Sequence, residues 1–185
     1  MILTGYLGNC YAQEFPLAIS ASIALEQSYG HIDGDSASLA ELCCLISALT
    51  LTPIKQSYAV TGSINQYGEV QAIGGVNEKI EGFFKLCEGR GLTGEQGCII
   101  PQANVRNLML KQEIIDAVTN NEFAIYAVAN VNEALELLTG EHVGKKDNNG
   151  EYPKDSLNFK AISRLKEISD LGHDKDEDNN DEEEH

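Results

Sequence analysis

The chain has 185 residues, enough for one ordinary domain or one domain with a tail, which excludes a two-enzyme chain. Apolar residues make up 42% and aromatics 6% with no Trp, so a normal core is within reach and a flat aromatic recognition platform is not. Thirteen Lys and Arg against 29 Asp and Glu give a net charge of −16, which repels phosphate backbones and argues against nucleic acid as a partner.

In chain order, residues 1–13 carry Ile2, Leu3, Tyr6, Leu7, Cys10 and Tyr11 at helical spacing, and Pro16 marks a break. Ala18–Gln27 alternates apolar and polar positions and is expected as a half-buried strand, followed by a polar turn at His31–Asp35. From Ser36 to Leu49 apolar residues cover most of the surface, the pattern of a central buried helix that Thr52-Pro53 brings to an end. Tyr58–Ile64 and Glu69–Ile73 are expected as strands of a hairpin joined through Asn65–Gly68. Gly74-Gly75 opens a helix over Val76–Glu88. A strand over Cys98–Pro101, a helix over Asn104–Val118, a strand over Phe123–Val128 and a helix over Val131–Leu138 follow. This mixture without strict alternation predicts an α+β fold of small mixed sheets packed with helices over residues 1–140.

Residues 141–155 turn polar and are expected as a linker, and 156–172 as an amphipathic helix. Residues 173–185 hold eight acids and one Lys, a composition that does not bury enough surface to offset its ordering entropy and is expected to be disordered. The five cysteines show no CxxC spacing and no neighbouring His pair, so neither a disulfide framework nor a metal site is expected. They fit small buried residues in a reducing compartment. No basic-then-apolar leader opens the chain and no run approaches the roughly 18 apolar residues of a membrane span, so the expectation is a cytoplasmic protein without a membrane partner.

Two segments can carry chemistry. Asp33-Gly34-Asp35-Ser36-Ala37-Ser38 delivers a serine from a tight turn to the start of a buried helix, where free amides and the helix dipole can stabilise an oxyanion. Ser38-Leu39-Ala40-Glu41 equally fits a capping box, and Ser36 or Asp35 can serve simply as helix-cap groups. On the helix over Val76–Cys87, Lys79 falls on the flank of an apolar face made by Val76, Ile80, Phe83, Phe84 and Cys87, whereas Glu78, Glu81 and Lys85 point away. An ordinary lysine, with a pKa of about 10.4, is neutral in about one molecule in a thousand near pH 7.4 and is a poor proton acceptor. Desolvation favours the neutral amine, at a cost of about 4 kcal/mol for a pKa brought near neutrality. The alternative is a snorkelling Lys79 whose stem packs while its charge reaches water. Gly89-Arg90-Gly91-Leu92-Thr93-Gly94 has a dinucleotide-like spacing but follows a helix and precedes a strand, the reverse of the required context.

Together the two segments resemble the proteolytic domain of the Lon protease family, in its archaeal-type form. The serine element matches G-D-S-A-S, the lysine element is Gly74-Gly75-Val76-Asn77-Glu78-Lys79-Ile80, and the two functional residues stand 43 positions apart. The likeness extends from about Ile19 to about Leu138 and includes Val60-Thr61-Gly62-Ser63. It implies the Lon proteolytic-domain fold and a serine endopeptidase in which Ser36 attacks the scissile carbonyl and Lys79 serves as general base and acid. Thr61, Asp33, Asp35 and Ala37 would stand in supporting positions, with Thr61 holding the amine and backbone amides near Ser36 binding the oxyanion. Two readings stay open for Asp33: capping the Ser36 helix, or pairing with Lys79 in a resting arrangement that silences the dyad. The resemblance also implies unfolded or misfolded polypeptide substrates and a ring of six subunits.

The chain carries no G-x-x-x-x-G-K-[ST] phosphate loop, so no cofactor is expected in it, and ATP and Mg are implied only for an ATPase module elsewhere in the parent protein. It begins at a position matching the middle of the family domain, so the family's first strands are expected to be missing. An alternative of another class is a catalytically silent assembly or substrate-holding domain with the same fold.

Overall fold

The computed structural model of the chain describes residues 2–24 and 34–182. Its elements in order are α1 (Ile2–Cys10), α2 (Ser38–Thr50), β1 (Tyr58–Val60), β2 (Ser63–Ile64), β3 (Val70–Gln71) and α3 (Val76–Arg90). There follow β4 (Gly97–Pro101), a 3-10 helix over Gln102–Asn107, α4 (Gln112–Thr119), β5 (Ala124–Val128), α5 (Val131–Thr139) and α6 (Leu157–Glu182). The class is α+β.

Strand β4 organises the molecule. It lies between β1 and β5 in a parallel three-stranded sheet, with Tyr58 opposite Gly97 and Cys98 opposite Ile125. All five β4 residues are buried, as a central parallel strand covered on both faces requires. Because strand side chains alternate, Ile99 enters one core and Cys98 and Ile100 the other. The first core gathers Leu39, Leu42 and Ile46 of α2, Leu135 and Leu138 of α5 and Leu157, Ala161 and Leu165 of α6. The second gathers Val76, Ile80 and Phe84 of α3, Ile114 of α4 and Phe123, with Phe84 and Phe123 packed edge to face. Helices α2 and α3 therefore lie on opposite faces of the sheet.

Several expectations change here. Residues 18–24 have no regular structure, and 25–27 lie outside the described residues; among the described residues no strand supplies the ladder that a strand at 18–27 needs. The run 58–64 is not one strand. It divides at Thr61-Gly62, with β1 pairing with β4 and β2 turning away to pair antiparallel with β3, so the expected hairpin keeps only its tip. The helix expected over 104–118 is broken between Asn107 and Gln112, because the Asn77 side chain donates to Asn107 O at 3.2 Å and accepts from Met109 N at 2.8 Å. Those bonds meet the backbone groups that a continuous helix would use.

The segment after 140 packs on the same core. Val143 is buried, Leu157 N donates to His142 O, and Tyr11 Oη donates to Asn158 Oδ1 at 2.8 Å, which ties α1 to α6. Helix α6 continues past residue 172 to Glu182, into the stretch expected to be disordered; a helix already nucleated by its packed first turns extends at little cost. Among the described residues no helix is long and apolar enough to cross a membrane.

Candidate active site

Beyond the C-terminal end of β1 the two candidate residues meet. Ser36 arrives from one face of the sheet on the turn that enters α2, and Lys79 arrives from the other in the first turn of α3. Lys79 Nζ donates to Ser36 Oγ at 2.8 Å and to Thr61 Oγ1 at 3.1 Å. Thr61, the residue after β1, donates its own hydroxyl hydrogen to Ser36 O at 3.3 Å. The open end of parallel strands is where α/β sheets place their ligands, and here the break between β1 and β2 supplies the second hydroxyl of the group.

The local chain paths follow from the sequence. Gly75 enters α3 at φ +68°, a left-handed conformation that favours glycine, and turns the chain so that Val76, Ile80, Phe84 and Cys87 face the second core. Lys79 is left on the flank, reaching across to the serine turn. Gly62 sits where a Cβ would stand 3.0 Å from Leu39 Cδ2 and 3.1 Å from Val70 Cγ1. Its missing side chain lets the backbone approach α2, so that Gly62 N donates to Ser36 O at 2.9 Å and Leu39 N donates to Gly62 O at 3.1 Å.

The capping expectations for Ser36, Asp35 and the Ser38 box fail. The residue before α2 is Ala37, and among the described residues no side chain caps that helix end. The Ser38 hydroxyl instead accepts from Ile64 N at 3.1 Å, and the Asp35 carboxylate accepts from Ser63 Oγ at 2.7 Å. Both groups bridge from the serine turn to β2, and so are spent on partners other than the helix amides they were expected to cap. Ala37 is half-buried beside Ser36, and Asp33 lies outside the described residues. Lys79 is exposed, which fits the snorkelling alternative rather than an amine kept from water, because α3 spends its apolar face on the second core.

Reading the sequence missed three contributors: Ser63, Asn77 and Asn104. Asn104 is buried and grips the backbone of Ile73, accepting from its N–H and donating to its carbonyl, each at 2.9 Å. None of the three stands in a periodic pattern, and each acts on a partner from a different element, so no local signal marks them.

The nearby thiols do not compete as nucleophiles. Burial pushes the Cys43 thiol on α2 and the Cys98 thiol on β4 up to about 12, which keeps both protonated. Among the described residues no group of three or more His, Cys, Asp or Glu could hold a metal ion. A cavity of about 780 Å³ opens between α1, the 146–154 segment and α6, and is lined by none of the candidate site residues.

An α+β domain that brings a serine hydroxyl and a lysine amine together beyond a parallel strand defines a class of possible hydrolases. Residues 20–140 match the family model of the Lon protease (S16) C-terminal proteolytic domain, and the chain belongs to that family. It is 54% identical over 138 residues to a Lon protease homolog of Escherichia coli, covering 75% of this chain and 24% of that protein. A Lon protease homolog of Haemophilus influenzae is 48% identical over 165 residues, 89% of this chain and 27% of that protein. The archaeal Lon protease of Methanocaldococcus jannaschii is 40% identical over 116 residues, 63% of this chain and 15% of that protein. The chain thus spans about a quarter of the two bacterial relatives and less of the archaeal one.

Proposed function

We propose that this chain is the proteolytic domain of an ATP-dependent Lon-type protease and hydrolyses peptide bonds of unfolded polypeptides through a Ser36–Lys79 dyad. The observation that carries the reading is the 2.8 Å contact between the Lys79 amine and the Ser36 hydroxyl, at the distance proton transfer needs. The neutral amine takes the Ser36 proton as Oγ attacks the carbonyl carbon. The resulting ammonium returns that proton to the leaving amine, and an acyl group stays on Ser36. Water, deprotonated by the same amine, then releases the acid product and restores the serine. Thr61 directs the amine lone pair by fixing the nitrogen from a second side, and backbone amides near Ser36 receive the oxyanion.

The amine must be neutral for the first step, and its exposure in this chain calls for a cover in the working protein. A homo-hexamer is the assembly we propose to supply it. ATP and Mg belong to an ATPase module elsewhere in that protein, which would deliver unfolded chains. Free, mostly buried cysteines favour a reducing, cytoplasmic compartment.

The same exposure favours a second reading, a silent assembly or substrate-holding domain. Peptide hydrolysis by the 185-residue chain and by its longer parent separates the two. Under the dyad reading Ser36→Ala and Lys79→Ala each lower turnover by roughly a thousandfold, and the double variant falls no further. Turnover that survives either substitution overturns the dyad. A parent protein without hydrolysis in any form establishes the silent domain.

A further inference from the structure

Among the described residues no side chain caps the helix that the serine turn opens, yet the turn is stitched along its length to the segment 61–64. Gly62 N and the Thr61 hydroxyl both donate to Ser36 O, Leu39 N donates to Gly62 O, Ile64 N donates to Ser38 Oγ, and Ser63 Oγ donates to an oxygen of Asp35. Among these, the bond from Ser63 to Asp35 is the shortest, at 2.7 Å, and it is charge-assisted because the acceptor is a carboxylate. It also acts on the residue immediately before the nucleophile. Ser63 itself is 3% exposed and held in the β2–β3 pair opposite Gln71, so its hydroxyl is a fixed point. Asp35 is exposed, and without that anchor nothing else in its side chain's hydrogen bonding restrains it among the described residues.

We propose that Ser63 is a positioning residue for the nucleophile: through the Asp35 carboxylate it fixes the backbone of the turn so that Ser36 Oγ stays within reach of the Lys79 amine. This rests on the dyad reading and adds to it a residue that touches neither the substrate nor the reacting atoms. The chemistry supports a rigid link. The Ser36 hydroxyl rides on a turn tied to β2 on both sides, through Asp35 immediately before it and through Ser38 two residues after it. Loosening the Asp35 side lets the turn rotate about its remaining attachments, and a displacement of about 1 Å at a reacting atom costs up to a hundredfold in rate. The Asp35 charge is not required for this role; an acceptor at the same place is.

The test uses Ser63→Ala, Asp35→Ala, Asp35→Asn and the Ser63→Ala/Asp35→Ala double variant. Three readouts are taken: peptide turnover, the rate at which an activated p-nitrophenyl ester acylates Ser36 with release of p-nitrophenol, and amide hydrogen exchange at Leu39 and Gly62. Ser63→Ala and Asp35→Ala are each expected to lower kcat and the acylation rate about tenfold with KM changed less than twofold, and the double variant to fall no further than either. Asp35→Asn, which keeps an acceptor, recovers most of the loss. If the chain alone turns over no peptide, exchange decides: Ser63→Ala speeds exchange at Leu39 and Gly62 about tenfold while the amides of α5 keep their protection. Unchanged acylation and unchanged exchange overturn the proposal, as does an Asp35→Asn variant as impaired as Asp35→Ala, which would assign the effect to charge. Loss of the dyad itself would show separately, as turnover that survives Ser36→Ala.

Discussion

Replacing Asn104 tests how the lysine half of the site is held. Its side chain accepts from Ile73 N and donates to Ile73 O, each at 2.9 Å, and it is only 4% exposed, so water does not readily replace it. Ile73 immediately precedes Gly74-Gly75 and the start of α3, whose first turn carries Lys79 and whose apolar face enters the second core. Asn104→Ala removes both bonds and leaves a backbone donor and acceptor without partners, at about 1–3 kcal/mol for each fully buried group. Ile73 is half-buried, which places the expected loss at about 2–4 kcal/mol. Asn104→Leu restores the volume without the bonds and should cost about as much. Urea denaturation is the assay: both variants shift the midpoint downward with an unchanged slope. A leucine variant within about 0.5 kcal/mol of the parent would show that Asn104 acts by filling space, and the account of the α3 entrance would be wrong.

Other outcomes follow from the same geometry. Thr61→Val keeps the strand-compatible shape but removes the hydroxyl that touches both Lys79 Nζ and Ser36 O, and should lower kcat about tenfold, the rate equivalent of about 1.4 kcal/mol, the upper end for one neutral hydrogen bond. Steady-state peptide hydrolysis measures it, and an unchanged kcat refutes the role. Stability should fall in alkali: the Cys43 and Cys98 thiols are pushed up to about 12 in the folded chain, so above the ordinary thiol range the unfolded state loses protons that the folded state retains. The loss begins near pH 9 and approaches about 1.4 kcal/mol per pH unit for each thiol until the folded value is reached. Denaturation between pH 8 and 11 checks it, and Cys98→Ala should reduce the slope.

The helices were legible because their information is local. In α2 the apolar positions Leu39, Leu42, Cys43, Ile46 and Leu49 recur at helical spacing and are all buried, and the same period on α3 puts Lys79 on the flank of its buried face. The strand expected at 18–27 was not legible, because alternation describes a surface that suits a ladder and says nothing of whether a partner is present. The helix expected over 104–118 was equally out of reach: its interruption depends on Asn77, some thirty residues earlier in the chain, whose side chain meets the backbone at the start of the break and within it.

What the residues alone determined is which groups are available: a serine at the mouth of a buried helix, a lysine on the flank of another, and a threonine beside a glycine that permits close backbone approach. Whether those groups touch depended on the tertiary structure. Helices α2 and α3 lie on opposite faces of one sheet, and only the packing of two separate cores against β4 sets how far each projects beyond β1. That packing brings the amine to the hydroxyl, turns Asp35 from a helix cap to a tether on Ser63, and leaves Lys79 open to water. Periodicity specifies the face that an element buries, whereas the distance between two elements depends on every side chain stacked between them.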